Sequence, residues 1–156
     1  MEPPVTPLRL LVDVSRQRLE LVTEGGEVMH SYPVSTSQFG LGVEKGSFRT
    51  PTGRFRISEK IGAGAPAWMI FKSRTPTGQF AQSGGDEDLI LSRILWLDGL
   101  DPENANTHDR YIYFHGTNQE ELIGTPASHG CIRLKNLDMI ELFDLVAVGT
   151  PVAIKE

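Results

Sequence analysis

The chain has 156 residues, of which 39 % are hydrophobic and 22 % charged, so it is long and apolar enough to fold as one domain around its own core. Acidic residues outnumber basic ones, the net charge is −5, and the longest basic cluster is Lys72 to Arg74. These features argue against a nucleic-acid partner. A single cysteine excludes a disulfide-stapled scaffold, and no apolar run approaches the roughly 18 residues that span a bilayer.

Short alternating apolar segments predict β-strands through the first half of the chain. They cover residues 8–14, 18–22, 28–34 and 54–57. The first two are predicted to form a hairpin, and Thr50-Pro51-Thr52-Gly53 is a turn signal before the fourth. The small, polar residues 35–45 between them predict a loop.

The second half mixes one long irregular segment with stronger strand signals. Residues 61–88 are rich in Gly, Ala and Pro around the patch Trp68 to Phe71, which predicts a long loop that forms a lid or one wall of a site. The run 89–97 predicts a buried central strand, and 111–115 a further strand. Near the C-terminus, Asn136 is predicted to cap a helix that runs toward Val148, followed by a last strand over 151–154.

These signals predict a mainly β fold, with one domain over residues 1–156, a short C-terminal helix and a long loop or lid. The first seven residues have neither a basic region nor an apolar stretch of signal-peptide type. The expected localisation is therefore cytoplasmic if Met1 is the native start, and periplasmic if the N-terminus was trimmed.

The chemistry is predicted between His115 and Arg133. His115-Gly116-Thr117 is followed by a polar loop and then by Ser128-His129-Gly130-Cys131-Ile132-Arg133. A cysteine nucleophile needs a base or positive field to ionise it and hydrogen-bond donors for the oxyanion that forms. His115 ends a predicted strand. Gly130 allows a sharp turn that brings the amide groups around Gly130 and Cys131 together as oxyanion donors, and Arg133 follows Cys131 by two residues on the same strand face.

Each of these residues also has a structural interpretation when it is taken alone. A lone cysteine is usually a small buried hydrophobe, a lone histidine is usually structural, and an arginine on a strand is usually an exposed charge. The joint pattern favours catalysis, because the only cysteine is preceded by His-Gly and a second His-Gly lies sixteen residues upstream.

This stretch resembles the signature of the L,D-transpeptidase (YkuD-type) catalytic domain: a His, about fourteen residues, then Ser/Thr-His-Gly-Cys, a hydrophobe, and Asn or Arg. His115 and the block Ser128 to Arg133 fill every position. Residues 33–37 (Pro-Val-Ser-Thr-Ser) and 50–55 (Thr-Pro-Thr-Gly-Arg-Phe) are similar to the family's two upstream blocks, so the resemblance covers nearly the whole chain.

The resemblance implies mixed β-sheets that enclose a catalytic groove. It implies Cys131 as the nucleophile, His115 as the base, and the backbone carbonyl of Gly116 as the group that orients the imidazole, at a position where many members have Ser. His129 and Arg133 would line the donor-peptide site. Three further residues are placed with the substrate-binding group: Ser128, Gly130 and Tyr113. Tyr113 lies two residues before His115 and shares its strand face, and core packing is an equally good interpretation of this residue.

The implied reaction opens murein tetrapeptides after the L-centre of meso-diaminopimelate, through a thioester on Cys131 with release of D-alanine. No cofactor or metal is implied, and a carbapenem adduct on Cys131 is expected. An amine acceptor would give transpeptidation and water would give L,D-carboxypeptidation. Because the chain shows no signal peptide or wall-binding module, the expectation is hydrolysis of recycled tetrapeptides in the cytosol.

Three other interpretations compete with this one. A metal hydrolase would use some of His108, Asp109, His115, His129 and Cys131, but their spacing matches no CxxC pair or HExxH helix. Sortases also order His, Cys and Arg along the chain, but their His lies much further upstream, and papain-like and NlpC-like peptidases place Cys before His. A non-catalytic peptide- or glycan-binding module would use aromatic residues such as Trp68, Phe71 and Phe80.

Overall fold

The computed structural model of the chain describes residues 7–156, and what was expected of residues 1–6 lies outside them. The described part contains ten strands and one α-helix. The strands are β1 (Leu8–Asp13), β2 (Arg18–Thr23), β3 (Val28–Pro33), β4 (Gly53–Ile61), β5 (Met69–Lys72), β6 (Thr75–Phe80), β7 (Ile90–Gly99), β8 (Tyr113–Gly116), β9 (Ile132–Leu134) and β10 (Pro151–Lys155). The helix α1 spans Asn136–Leu145, and three short 3-10 helices span Pro102–Asn104, His108–Arg110 and Glu120–Leu122.

The strands form one mixed sheet in the order β3-β2-β1-β10-β4-β7-β5-β6, and β8 pairs with both β7 and β9. The pairs β1–β10 and β8–β9 are parallel, and the others are antiparallel. The long central strand β7 changes partner along its length: its first residues pair with β5, and its last with β4. The prediction of a mainly β, mixed-sheet fold is confirmed.

Two apolar clusters lie on opposite sides of the central strands. The larger contains Phe55, Leu95, Phe114, Ile132 and Leu142, together with residues of β1, β2 and β10. The smaller contains Met69, Phe71, Ile94, Trp96 and Tyr113, with Cys131 packed against it. Within residues 7–156, no helix is long and apolar enough to cross a membrane.

The segment 61–88 was expected to be a long loop, and this expectation was wrong in part. It contains the hairpin β5–β6, in which Ile70 and Phe71 of the apolar patch pair with β7. The strand β6 is exposed along its whole length, so it has no buried face to produce an apolar alternation. The connecting turn, Ser73-Arg74, also lacks the Asn-Gly or Asp-Gly signal that marks most two-residue hairpin turns.

Asn136 was predicted to cap the C-terminal helix, and this prediction was wrong. Lys135 occupies the N-cap position, and Asn136 is the first helical residue, fully buried. Its side-chain oxygen accepts a hydrogen bond from Ser92 Oγ at 2.6 Å, and its amide nitrogen donates to the Thr117 carbonyl oxygen at 2.8 Å. The helix therefore begins with a link to β7 and to the segment after β8. It ends at Leu145, before Val148.

Candidate active site

Alternate residues of β8 and β9 project to opposite sides of the strand pair. Phe114, Ile132 and Leu134 belong to the larger apolar cluster, and we call them the core face. Tyr113 and Cys131 belong to the smaller cluster. His115 and Arg133 follow two residues later and stand beside each other in the parallel register. Because side chains alternate along a strand, these four residues share one side, which we call the catalytic face.

The imidazole of His115 is held by the carbonyl that follows it. Its Nδ1 lies 2.6 Å from the Gly116 carbonyl oxygen, the contact that the resemblance implied. A carbonyl can only accept, so Nδ1 carries the proton and Nε2 is left as the acceptor. His115 is buried, and burial is the main cause that lowers its pKa. The ring is therefore neutral near pH 7 and available as a base.

The thiol of Cys131 lies against the backbone of the segment that leads into β8. Tyr113 N donates to Sγ at 3.4 Å, and Sγ donates to the Tyr111 carbonyl oxygen at 3.4 Å. The residue is partly exposed, yet burial of the sulfur raises the pKa of the thiol to about 12. Among the hydrogen bonds of the described residues, none joins Sγ to His115. The resting pair is thus a neutral thiol and a neutral imidazole.

The turn before Cys131 is fixed by residues from two distant parts of the chain. Gly130 has φ 122°, a conformation that side chains other than glycine rarely adopt. Its carbonyl accepts from Thr50 Oγ1 at 3.0 Å. The backbone of Ser35 exchanges hydrogen bonds with that of Arg133, and the amide of Ser128 donates to the Thr36 carbonyl. The two upstream blocks of the resemblance therefore support the cysteine loop.

Ser128 and Arg133 were placed with the substrate-binding residues, but both are fully buried. Ser128 Oγ donates to the Cys131 carbonyl at 2.6 Å and accepts from the Gly130 amide at 3.2 Å, so it braces the turn. The guanidinium of Arg133 pairs with Asp88 at 3.1 Å and also donates to Gln119 and Ser35. Neither side chain is free to contact a substrate in this structure.

Tyr113 is also buried, and its hydroxyl accepts from Arg74 Nη1 at 3.2 Å. The Gly130 amide, expected to help form an oxyanion site, is paired with Ser128 Oγ. No side chain within residues 7–156 accepts a hydrogen bond from the Cys131 amide, so this group is the better candidate for the oxyanion donor. Of the substrate-binding residues predicted, only His129 is exposed.

His129 stands at the edge of a groove beside the thiol. Its Nδ1 lies 3.3 Å from Asp88 Oδ2, and its ring stacks on Phe39 at a centroid distance of 6.0 Å. It borders a cavity of about 260 Å³ whose other walls include Lys45, Phe48, Arg110 and Tyr111. A second cavity of about 330 Å³ shares Lys45 and Tyr111 with the first and extends to Trp96 and His108. Together they form a groove that Cys131 does not line but that includes Tyr111, whose carbonyl oxygen contacts the thiol, and we call it the thiol groove.

Three charged residues near the thiol were not predicted from the sequence. Arg110 borders the thiol groove and donates to the carbonyls of Gly42 and Arg49. Its positive charge acts to lower the pKa of Cys131, although burial of the sulfur outweighs it. The carboxylate of Asp88 contacts both Arg133 and His129. Arg74 donates a hydrogen bond to the Tyr113 hydroxyl. Isolated Arg and Asp residues in irregular segments give no local signal, so only the folded chain brings them to the site.

Glycine at position 116 is required by packing. A Cβ there would press on the side-chain oxygen of Asn136 and would lie 2.8 Å from the Leu91 carbonyl oxygen. The chain thus has no room for the serine that the resemblance allows at this position. The backbone carbonyl of Gly116 still supplies the contact to the imidazole.

The titratable residues do not group as a metal site. Within residues 7–156, no set of three or more His, Cys, Asp or Glu side chains is placed to hold a metal ion. His108 stacks on Trp96 at 3.9 Å and His115 is occupied by Gly116. The residues proposed for a metal hydrolase are therefore distributed among different contacts.

A mainly β fold with a neutral imidazole and a thiol on one strand face fits the class of cysteine-dependent acyl-transfer enzymes. The model of the YkuD L,D-transpeptidase catalytic domain matches residues 7–154. The chain therefore belongs to the L,D-transpeptidase catalytic domain family, whose members are enzymes of cell-wall peptidoglycan.

Curated relatives carry the same family name. The chain is 29 % identical over 153 residues to the putative L,D-transpeptidase YkuD of Bacillus subtilis, a match that covers 98 % of this chain and 69 % of the relative. It is 36 % identical over 93 residues to the putative L,D-transpeptidase YqjB of B. subtilis, covering 53 % and 52 % of the two chains. The probable L,D-transpeptidase YcfS of Escherichia coli is 28 % identical, and the match covers 43 % of it.

Solved structures of L,D-transpeptidases share the fold. The enzyme from Mycobacterium smegmatis superposes with a TM-score of 0.63 at 18 % identity, over 97 % of this chain and 59 % of that one. The enzyme LdtMt1, solved in complex with imipenem, superposes with a TM-score of 0.61 at 22 % identity, over 96 % of this chain and 59 % of that one. The chain thus spans somewhat more than half of these solved proteins.

Proposed function

We propose that the chain opens the L,D peptide bond of murein tetrapeptides through a thioester on Cys131, with release of D-alanine. The observation that carries the proposal is the pairing of the imidazole with the Gly116 carbonyl on the same strand face as the only thiol. That contact leaves Nε2 unprotonated on the side chain that shares the catalytic face with the sulfur. A base with a fixed tautomer on the strand face that carries a thiol suits acyl transfer.

In this scheme the thiol proton passes to His115 Nε2 as the sulfur attacks the carbonyl carbon of the L-centre. The resulting oxyanion is stabilised by the amide of Cys131. When the intermediate collapses, the imidazolium returns the proton to the amine of the leaving D-alanine, and the acyl group stays on the sulfur. Because the resting thiol is protonated, this proton transfer is part of the reaction and does not precede substrate binding.

We propose that water then accepts the acyl group from the thioester, so that the product is a tripeptide. The thiol groove is bordered by Lys45 and Arg110, with Asp109 as the single acidic residue on its wall. A positive groove attracts an anionic donor peptide and disfavours the ammonium group of an amine acceptor. Transfer to an amine, the reaction named for the family's relatives, is the second candidate.

The first experiment asks whether Cys131 is the nucleophile. Incubation with a carbapenem should add the mass of one drug molecule to the protein, and peptide mapping should place it on Cys131. The Cys131→Ala variant should show no adduct. An adduct of equal yield on that variant would show that another residue attacks.

The second experiment asks which acceptor is used. Purified protein and a disaccharide-free tetrapeptide should yield tripeptide and D-alanine in equal amounts. Dimeric product without tripeptide would refute hydrolysis and support the second candidate. The cytoplasmic localisation remains a prediction, which fractionation of cells that express the full-length, C-terminally tagged protein would test.

A further inference from the structure

The turn of the β5–β6 hairpin carries an arginine in an unfavourable backbone conformation. Ser73 and Arg74 have φ values of 47° and 64°. Two-residue turns of this kind favour Asn, Asp and Gly, because a positive φ costs a residue with a larger side chain on the order of 1 kcal/mol. Strain of this kind is often retained where the side chain has a function.

The guanidinium of Arg74 lies on the aromatic residues that border the thiol. It lies over the rings of Trp96 at 4.9 Å and Tyr111 at 5.3 Å, and it donates to the Tyr113 hydroxyl at 3.2 Å. The backbones of the same two tyrosines contact Cys131 Sγ. The side chain of Tyr113 thus connects the two groups: its hydroxyl contacts Arg74, and the backbone amide of the same residue contacts the Cys131 sulfur.

The guanidinium of Arg74 has no ion-pair contact within the described residues, and Glu59 acts on its charge only from a longer distance. No carboxylate among residues 7–156 lies within ion-pair distance of it. Tyr113 is a neutral phenol, and burial raises its pKa further, so it does not offset the charge. The guanidinium of Arg74 has five N–H groups, and one of them donates to a neutral oxygen, that of Tyr113. The others are available to bind a planar anion such as a carboxylate through two parallel hydrogen bonds.

We propose that Arg74 is a specificity-determining residue that binds one of two carboxylates of the donor peptide, that of the diaminopimelate side chain or that of the leaving D-alanine, while the scissile carbonyl lies at Cys131. This inference rests on the proposed function. The contacts with the rings of Trp96 and Tyr111 and with the Tyr113 hydroxyl hold the guanidinium in place and leave its other N–H groups for the ligand. The donor has two carboxylates close to the scissile bond, one on the diaminopimelate side chain and one on the leaving D-alanine.

The test compares three donors on three proteins. The donors are the parent tetrapeptide, the tetrapeptide amidated on the diaminopimelate side chain, and the tetrapeptide with C-terminal D-alaninamide. The proteins are the parent chain, Arg74→Met, which keeps the aliphatic length without charge, and Arg74→Lys, which keeps the charge without the fork. Arg16→Met, an exposed arginine in the β1–β2 turn, is the matched control. Thermal unfolding verifies that each variant is folded.

We expect Arg74→Met to raise KM for the parent donor about tenfold with little change in kcat, since a charge-assisted contact made equally in ground and transition states is lost. On one of the amidated donors, Arg74→Met and the parent chain should have the same KM, and that donor identifies the carboxylate bound. Arg74→Lys should fall between the two, and Arg16→Met should match the parent chain.

An equal loss on all three donors would overturn the proposal, because Arg74 would then act only by supporting Tyr113. Unchanged kinetics of Arg74→Met on every donor would overturn it as well. Failure of the proposed function is distinguishable from both, since the parent chain would then release no D-alanine from any donor.

Discussion

On the β8–β9 pair, neighbouring residues along each strand lie in opposite environments. The core face, Phe114, Ile132 and Leu134, is wholly apolar and inaccessible to solvent. The catalytic face carries a buried imidazole and a guanidinium paired with Asp88, next to a partly exposed thiol. Because side chains alternate between the two faces of a strand, the same pair of short strands presents residues for packing on one face and residues for chemistry on the other. Substitutions on one face should alter folding, and substitutions on the other should alter rate.

The largest effect should come from His115→Gln, which keeps a polar side chain but removes the base. We expect kcat for D-alanine release to fall by about 10²–10⁴-fold, the range for loss of a general base. The midpoint of urea unfolding at pH 7.5 should change little. Recovery of activity toward pH 10, where hydroxide ionises more of the thiol, would support the role of the imidazole as the base. A variant with full activity at pH 7 would refute it.

Phe114→Ala tests the core face at a residue that directly precedes His115 on β8 and pairs with Ile132 on β9. The free energy of unfolding should fall by about 3–5 kcal/mol, because a fully buried aromatic side chain leaves a cavity. Chemical denaturation measures this change. The folded fraction should retain kcat within a few-fold, and a loss of rate comparable to that of His115→Gln would show that the two faces are not independent.

The strand pattern explains how much of this site was predictable. Apolar patterning was enough to predict the strands β1, β2, β3, β4, β7, β8 and β10. The order His, then Ser-His-Gly-Cys, predicted that positions 115 and 131 come to neighbouring segments of the fold. The support of the site was not predictable, because it depends on pairs such as Asp88 with Arg133, 45 residues apart. The exposed strand β6 and the buried Asn136 were missed for the same reason: their partners, not their neighbours in sequence, determine their structure.

A smaller effect is expected from Gly116→Ser. This position affects both packing, through its α-carbon, and the catalytic face, through its carbonyl contact with His115. The new Cβ meets Leu91 and Asn136, so the unfolding free energy should decrease by about 1–3 kcal/mol, as for other overpacked sites. The carbonyl at 116 should remain in place, and kcat should fall less than with His115→Gln. Differential scanning calorimetry with a parallel rate assay would measure both. Equal or greater stability would contradict the packing described here.

The smallest effect concerns the pH dependence of stability. Burial lowers the pKa of His115 below its ordinary value, so the unfolded chain takes up a proton first as the pH falls. The parent chain should therefore lose stability relative to His115→Gln as the pH drops below about 6.5. For Cys131 the sign is opposite, because its pKa is raised to about 12. Relative to Cys131→Ala, the parent chain should lose stability as the pH rises above about 8.5. Urea unfolding at pH 5.5, 7.5 and 9.5 would measure both slopes.

The contacts of Cys131 Sγ with the backbone around Tyr111 and Tyr113 also bear on oxidative damage. Peroxides and alkylating agents react with the thiolate, and burial raises the pKa of this thiol, so less of it is ionised at pH 7 than of an exposed cysteine. Between turnovers the sulfur should therefore react slowly with oxidants, although it is partly open to solvent. We expect peroxide to inactivate the resting enzyme more slowly than an enzyme whose cysteine is permanently ionised.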